Sequence, residues 1–111
     1  MRRFLNSNGR IDFERLKAPA LANAEAIVRG LLPDGHLEGS EWSARNPRRD
    51  DRRLGSFKAN LRSGEWCDFA TGDRGSDLVA LWAYVMNVSQ RSAAIQLAGL
   101  LGIDPFEGGR S

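Results

Sequence analysis

Apolar residues change their spacing along this 111-residue chain, and the change separates helical from extended segments. Near the N-terminus they recur every three or four residues, which predicts a helix over about residues 19–32. Asp12 can cap a short turn before it, Pro19 suits its first turn, and the Pro-Asp-Gly run from Pro33 stops it. The apolar stripe of this helix consists of Leu21, Ala24, Val28, Leu31 and Leu32.

The middle of the chain has a period of two. In "SFKANLR", Phe57, Ala59 and Leu61 alternate with polar residues, which is typical of a strand. Ser63-Gly64 is a hairpin turn signal, and "EWCDF" follows as the partner strand. A further strand or hairpin is expected around Glu41–Arg45. The pattern therefore predicts a small antiparallel sheet of about three strands.

Helical spacing returns after a glycine-rich loop. Asp77 is a good N-cap for an amphipathic helix that Asn87 ends, and Ser89 caps a second helix that ends before Gly102. The apolar positions of these two helices are Leu78, Leu81, Trp82, Val85, Ala94, Leu97, Ala98 and Leu101.

These elements predict an α+β fold with an N-terminal helix, a sheet of about three antiparallel strands and two C-terminal helices. We expect a flexible N-terminus over residues 1–11, a single domain over 12–103 and a tail over 104–111. The chain is long enough for one core without disulfide or metal cross-links.

The composition, with 41% hydrophobic and 27% charged residues, is typical of a soluble globular protein. No apolar run approaches the ~20 residues of a membrane span, and the N-terminus lacks the apolar centre of a signal peptide. A single cysteine excludes an intramolecular disulfide. We therefore expect a cytoplasmic protein without a membrane partner.

Metal binding and catalysis have little support in the residue types. A structural zinc site needs four ligands, and the chain has one cysteine, Cys67, and one histidine, His36. Cys67 is interpreted as a strand residue; the alternative is a reactive thiol. The five aspartates of the middle region are interpreted as turn, cap and ion-pair residues, with a magnesium cluster as the alternative: Asp50, Asp51, Asp68, Asp73 and Asp77. We predict no metal, no cofactor and no catalytic residue.

The loop "TGDRGSD" raises the question of phosphate binding because it precedes a helix. It lacks the Gly-Lys-Ser/Thr ending of a Walker loop, and Asp77 places a carboxylate at the helix N-terminus. Gly72 and Gly75 are interpreted as turn residues.

Charge is concentrated in the middle, where residues 45–62 have seven basic and two acidic residues, a local charge of +5. A local field of this kind attracts polyanions, and arginine donates paired hydrogen bonds to phosphate. Trp66 or Trp42 can stack on unpaired bases. The predicted DNA-binding residues are Arg45, Arg48, Arg49, Arg52, Arg53, Lys58, Arg62, Trp66 and Arg74.

The stretch "GSFKANLRSGEWCDFATGDRGSDLVALWAYV" resembles the Cys-His-Cys-Cys zinc-binding domain at the N-terminus of bacterial and phage DNA primases. The matching features are a Ser-Phe strand, an Asn, a Gly turn, an aromatic strand, a Gly-rich knuckle, and an Asp before an apolar helix. They cover Ser56, Phe57, Asn60, Gly64, Trp66, Phe69, Gly72, Gly75 and Asp77. The likeness extends over about residues 36–103 and implies a zinc-ribbon-like sheet.

The resemblance also implies where a metal would be held. The ligand positions fall near Arg45–Asp50, Asp68 and Thr71, and none of them is a matched cysteine or histidine. The chain is therefore similar to the zinc-free version in primase-helicase proteins of phages, plasmids and integrated elements. We expect the knuckle to be held by burial of Trp66 and Phe69 and by hydrogen bonds from Asp68 and Thr71.

The resemblance implies a non-catalytic module that binds single-stranded DNA in a replication system, alongside a replication helicase or primase subunit. Primer synthesis belongs to a separate catalytic domain in that family, for which this chain has no room. The alternative is a stand-alone protein of a mobile element that binds a protein partner, such as a host defence complex of the CRISPR type that it inhibits.

Overall fold

The computed structural model describes residues 9–48 and 56–107, which form four helices and a five-stranded antiparallel sheet. The helices are α1 (Phe13–Ala22), α2 (Ala24–Leu31), α3 (Leu78–Met86) and α4 (Gln90–Leu101). The strands are β1 (His36–Glu38), β2 (Glu41–Ala44), β3 (Phe57–Asn60), β4 (Trp66–Asp68) and β5 (Arg74–Gly75). The predicted arrangement of one N-terminal helix, about three strands and two C-terminal helices is therefore wrong. In these two ranges, no helix has both the length and the apolar character needed to cross a bilayer.

The predicted helix over residues 19–32 is two helices that meet at Asn23. Asp12 caps α1, because its Oδ1 accepts the N–H of Arg15 at 3.3 Å, so this helix begins earlier than predicted. Pro19 lies inside α1, not in a first turn. Asn23 Nδ2 donates to the Pro19 carbonyl at 2.8 Å. Such side-chain bonds compete with the backbone ladder and favour a helix end.

Two strands were missed because they are too short to show a period. β1 has three residues, all exposed, and β5 has two residues in the glycine-rich loop. The strands follow chain order across the sheet, and each neighbouring pair is antiparallel. One row of residues in register crosses all five strands: His36, Ser43, Lys58, Cys67 and Arg74. We call the face that carries this row the outer face.

The opposite face of the sheet packs on the helices. Its core residues are Trp42, Ala44, Phe57, Ala59 and Trp66, each at most 5% exposed. The rings of Phe57 and Trp66 lie 5.8 and 4.9 Å from the ring of Tyr84 on α3, measured between centroids. Aromatic pairs at these separations stabilise beyond simple burial. The sheet and α3 therefore form one platform from which the loops project.

The helix ends after the sheet are confirmed as predicted. The side chains of Asp77 and Ser89 accept backbone N–H groups three residues further on, as N-caps do. Asn87 and Gly102 end α3 and α4 in the left-handed conformation, which these residue types tolerate.

The two ends of the described chain lie side by side. Ile11 and Phe106 form an antiparallel bridge, and Phe106 is buried. The guanidinium of Arg15 donates to the carbonyls of Asp104 and Phe106 at 2.9 and 3.0 Å. Residues 104–107, which we predicted to be part of a tail, thus pack against the start of the domain.

Candidate nucleic-acid interface

The two ends of the sheet carry different connections. Ala44, Phe57 and Asp68 are paired in register across β2, β3 and β4, so the chain segments beside them share one end of the sheet. We call this the loop end, formed by residues 45–48, 56 and 69–74. We call the opposite side the turn end, formed by residues 38–41 and 60–65.

A hydrogen-bond network joins the two longer segments of the loop end, residues 45–48 and 69–74. Asn46 Nδ2 donates to Asp68 Oδ2 at 2.7 Å and to the Tyr84 hydroxyl at 2.8 Å. Tyr84 donates in turn to Asp73 Oδ2 at 2.7 Å. Asn46 and Asp68 are almost completely buried. Buried polar groups that are fully hydrogen-bonded fix one arrangement of the surrounding chain.

The segment after β4 is a tight knuckle built around Asp68. Its Oδ1 accepts the N–H of Ala70 at 2.8 Å, and its carbonyl accepts the N–H of Gly72 at 2.7 Å. Gly72 has a φ of 85°, which favours glycine. Thr71 Oγ1 accepts the N–H of Asp73 at 3.2 Å. The expected hydrogen bonds from Asp68 and Thr71 are therefore confirmed.

The Tyr84 hydroxyl is kept as a proton donor by its surroundings. Burial raises the pKa of Tyr84, and the neighbouring carboxylate of Asp73 raises it further, while the bond from Asn46 acts in the opposite direction. The hydroxyl is therefore protonated at neutral pH and can donate to Asp73 while it accepts from Asn46.

Three predicted DNA-binding arginines lie at the loop end. Arg45, Arg48 and Arg74 are all exposed, and the guanidinium of Arg48 lies 4.9 Å from the ring centroid of Tyr84. That separation allows a cation–π contact, which orients the guanidinium without neutralising it. Arg49, Arg52 and Arg53 lie outside the described residues.

Two other predicted basic residues are elsewhere. Lys58 lies on the outer face, where its Nζ donates to Glu38 Oε1 at 3.0 Å. That bond raises the pKa of Lys58. It is also the main cause that lowers the pKa of Glu38, and a hydrogen bond with His36 is the second. Arg62 lies at the turn end and is exposed. Arg62 is therefore separated from the arginines of the loop end, whereas Lys58 shares the cross-strand row and one outer-face depression with Arg74.

The tryptophans predicted to stack on bases belong to the core. Trp66 and Trp42 are 5% and 4% exposed. The Nε1–H of Trp66 donates to the Asp77 carbonyl at 3.2 Å, and that of Trp42 to the Leu32 carbonyl at 2.8 Å. Neither ring has a free face that a base could cover.

Phe69 is the aromatic residue that sequence reasoning missed. Its side chain is 68% exposed, so the expectation that it is buried is wrong. It continues the alternation of β4, in which Trp66 and Asp68 are buried and Cys67 points to the outer face. The same period-two pattern, extended by one residue, could have identified it.

Phe69 borders a depression of about 610 Å³ on the outer face. Cys67, half-buried, also lines it, between Lys58 and Arg74 in the cross-strand row. Glu41 and Glu65 line the depression toward the turn end. Among residues 9–48 and 56–107, no three His, Cys, Asp or Glu side chains come together in a group that could hold a metal ion.

No protein-family model, curated protein or solved structure matches this chain.

Proposed function

We propose that this domain is a non-catalytic module that binds single-stranded DNA at the loop end. The observation that carries the proposal is that three exposed arginines and one exposed aromatic ring lie at one end of the sheet. These residues are Arg45, Arg48, Phe69 and Arg74.

The charges of the loop end suit a phosphate chain. The acidic residues there are occupied within the protein, since Asp68 is buried against Asn46 and Asp73 accepts the Tyr84 hydroxyl. The three arginines are exposed, so each guanidinium is accessible to donate hydrogen bonds to a phosphate. The sequence between Arg48 and Ser56 adds three arginines and two aspartates.

Phe69 supplies an exposed aromatic ring, which allows the protein to distinguish single-stranded from duplex DNA. An exposed ring can stack on an unpaired base, and such stacking contributes about 1–3 kcal/mol per base. In a duplex the bases are already stacked on one another, so the ring gains no comparable contact. Binding is therefore expected to favour single strands.

The resemblance to primase zinc-binding domains supports the same function. At two of the positions where that family holds its metal, this chain has Asn46 and Asp68, which are joined to each other by a hydrogen bond, and Asn46 also donates to Tyr84. We propose a cytoplasmic, zinc-independent relative of those domains that acts beside a replication helicase or primase subunit.

The test is binding of a labelled single-stranded oligonucleotide across a salt series, with duplex DNA for comparison. If three phosphates are neutralised, log K falls against log salt with a slope of roughly −2. Arg48→Ala should reduce that slope by about 0.7, since one phosphate contact is lost. Arg62→Ala is the matched control, because it removes the same charge at the turn end and should leave the slope unchanged. An absence of binding at low salt would refute the proposal.

A second candidate function, binding of a protein partner such as a host defence complex, has one observation in its favour. An apolar groove of about 600 Å³ lies between α2, α3 and α4. Met86 and Leu100 line it and are 50% and 65% exposed. Exposed apolar surface of this kind is common at protein contacts. Leu100→Glu should then abolish capture of the purified partner complex and leave oligonucleotide binding unchanged.

A further inference from the structure

Tyr84 reaches from α3 to both segments of the loop end. Its hydroxyl accepts from Asn46, which precedes Arg48, and donates to Asp73, which precedes Arg74. Asn46 Oδ1 in turn accepts the backbone N–H of Arg48 at 2.8 Å. The ring of Tyr84 packs on Phe57 and Trp66, so these bonds connect the loops directly to the core.

We infer that Tyr84 is a positioning residue for nucleic-acid binding, which holds Arg48 and Arg74 at a fixed spacing on the two loop segments. This inference rests on the proposed function, since it concerns the same surface. Tyr84 does not itself contact the nucleic acid. It acts through Asn46 and Asp73, the two residues to which its hydroxyl is hydrogen-bonded.

Fixed spacing affects affinity because free arginine side chains lose many rotamers on binding. Immobilising one such side chain costs about 0.5–1.5 kcal/mol, and an arrangement already fixed in the free protein avoids part of that cost. The Tyr84 ring restrains the Arg48 side chain, and the bond from the Arg48 N–H to Asn46 restrains its backbone. The Tyr84 hydroxyl holds Asn46 and Asp73 in turn, so removing it should loosen both loop segments and weaken binding without changing how many phosphates are contacted.

The test uses Tyr84→Phe, which keeps the ring and removes only the hydroxyl. Measured well below the melting temperature, its affinity for a single-stranded oligonucleotide should fall at least about five-fold, since the hydrogen bonds from Asn46 and to Asp73 are both lost. The salt slope should equal that of the wild type, because no charge is removed. In an Arg48→Ala background the same substitution should have a smaller effect than in the wild type, because only Arg74 is then left for Tyr84 to position.

Trp82→Phe is the matched control on the same helix. Its Nε1–H donates to Gln96 Oε1 at 2.7 Å, so this substitution deletes one side-chain hydrogen bond of α3, where Tyr84→Phe deletes two. A purely structural effect on α3 would appear in both variants, whereas positioning of the loop end should appear in Tyr84→Phe alone. Equal weakening in the two variants would overturn the inference.

Amide hydrogen exchange gives a readout that is independent of DNA. In Tyr84→Phe, the N–H groups of Arg48 and Ala70 should exchange faster, and that of Gly64 at the turn end should not. If the wild-type protein binds single strands and Tyr84→Phe binds them with the same affinity, this inference is overturned and the proposed function stands. A wild-type protein that does not bind single strands would overturn the proposed function and this inference with it.

Discussion

The loop end and the turn end of the sheet are stabilised by hydrogen bonds of different range. At the turn end, Asn60 Oδ1 accepts the N–H groups of the residues two and three positions further on, at 2.8 and 3.0 Å. At the loop end, Asn46 donates to Asp68 and Tyr84, which are 22 and 38 residues away. The Asn60 turn can therefore form within one hairpin, whereas the Asn46 network needs two strands and α3 already in place.

The two ends also differ in charge. Glu38, Glu41 and Glu65 lie at the turn end, whereas Arg45, Arg48 and Arg74 lie at the loop end. The long-range polar network thus lies at the same end as Arg45, Arg48 and Arg74. A surface that must present charges at fixed positions gains from such a network, whereas a local turn needs only to reverse the chain.

The largest expected effect is a loss of stability when the hydrogen-bond network of the loop end is broken. Asp68→Ala leaves the Asn46 amide and the Ala70 N–H without an acceptor that they have in the native protein. Buried donors deprived of a charged acceptor should lower the free energy of unfolding by about 3 kcal/mol. Chemical denaturation checks this value. A loss below about 1 kcal/mol would mean that the network contributes little to the fold.

A smaller loss is expected at the turn end. Asn60→Ala removes the acceptor of two backbone N–H groups, but these groups are exposed and water can replace the oxygen. The free energy of unfolding should fall by about 1 kcal/mol. The same denaturation experiment compares the two variants directly, and a loss equal to that of Asp68→Ala would remove the distinction between the ends.

The titration of Tyr84 should have a smaller effect on the free energy of unfolding, and this effect can be assigned to one residue. Burial raises its pKa, so the folded protein holds the phenolic proton more tightly than the unfolded chain, whose tyrosine titrates near pH 10. The associated stability is complete below about pH 10 and is lost as pH rises through the folded pKa. The sequence has one tyrosine, so the tyrosinate absorbance band reports Tyr84 alone. The midpoint should be higher in the folded protein than in the denatured chain; identical midpoints would contradict the assigned environment.

The smallest expected effect concerns the acidic residues. If phosphates bind at the loop end, the double substitution Glu41→Gln and Glu65→Gln acts from the turn end and should change oligonucleotide affinity by no more than about two-fold at physiological salt. The salt-series assay checks this. A gain of ten-fold or more would indicate that the nucleic acid crosses the outer face toward the turn end.

Local features of the fold could be predicted from the sequence. The caps at Asp77 and Ser89, the helix ends at Asn87 and Gly102, and the hairpin turn at Ser63-Gly64 each depend on a few neighbouring residues. Their residue types have strong preferences for those positions, so no tertiary information is needed.

Long-range features could not be predicted in the same way. Nothing in the sequence near Asn46 indicates that Tyr84 will be its partner, because that contact exists only after the sheet and α3 pack together. The break at Asn23 depends on a single side-chain hydrogen bond, and the strands β1 and β5 depend on pairing with a neighbouring strand. For the binding surface, residue type identified the arginines, but burial decided that Phe69 and not Trp66 is exposed.

The bridge between Ile11 and Phe106 brings the two ends of the folded unit together, so the backbone follows a nearly closed ring. A circularly permuted chain should therefore keep the same contacts if a short glycine linker joins the old ends and new termini open at the exposed Ser63. By the same geometry, a host protein could carry this domain as an insertion in one of its own surface loops, because entry and exit lie close together.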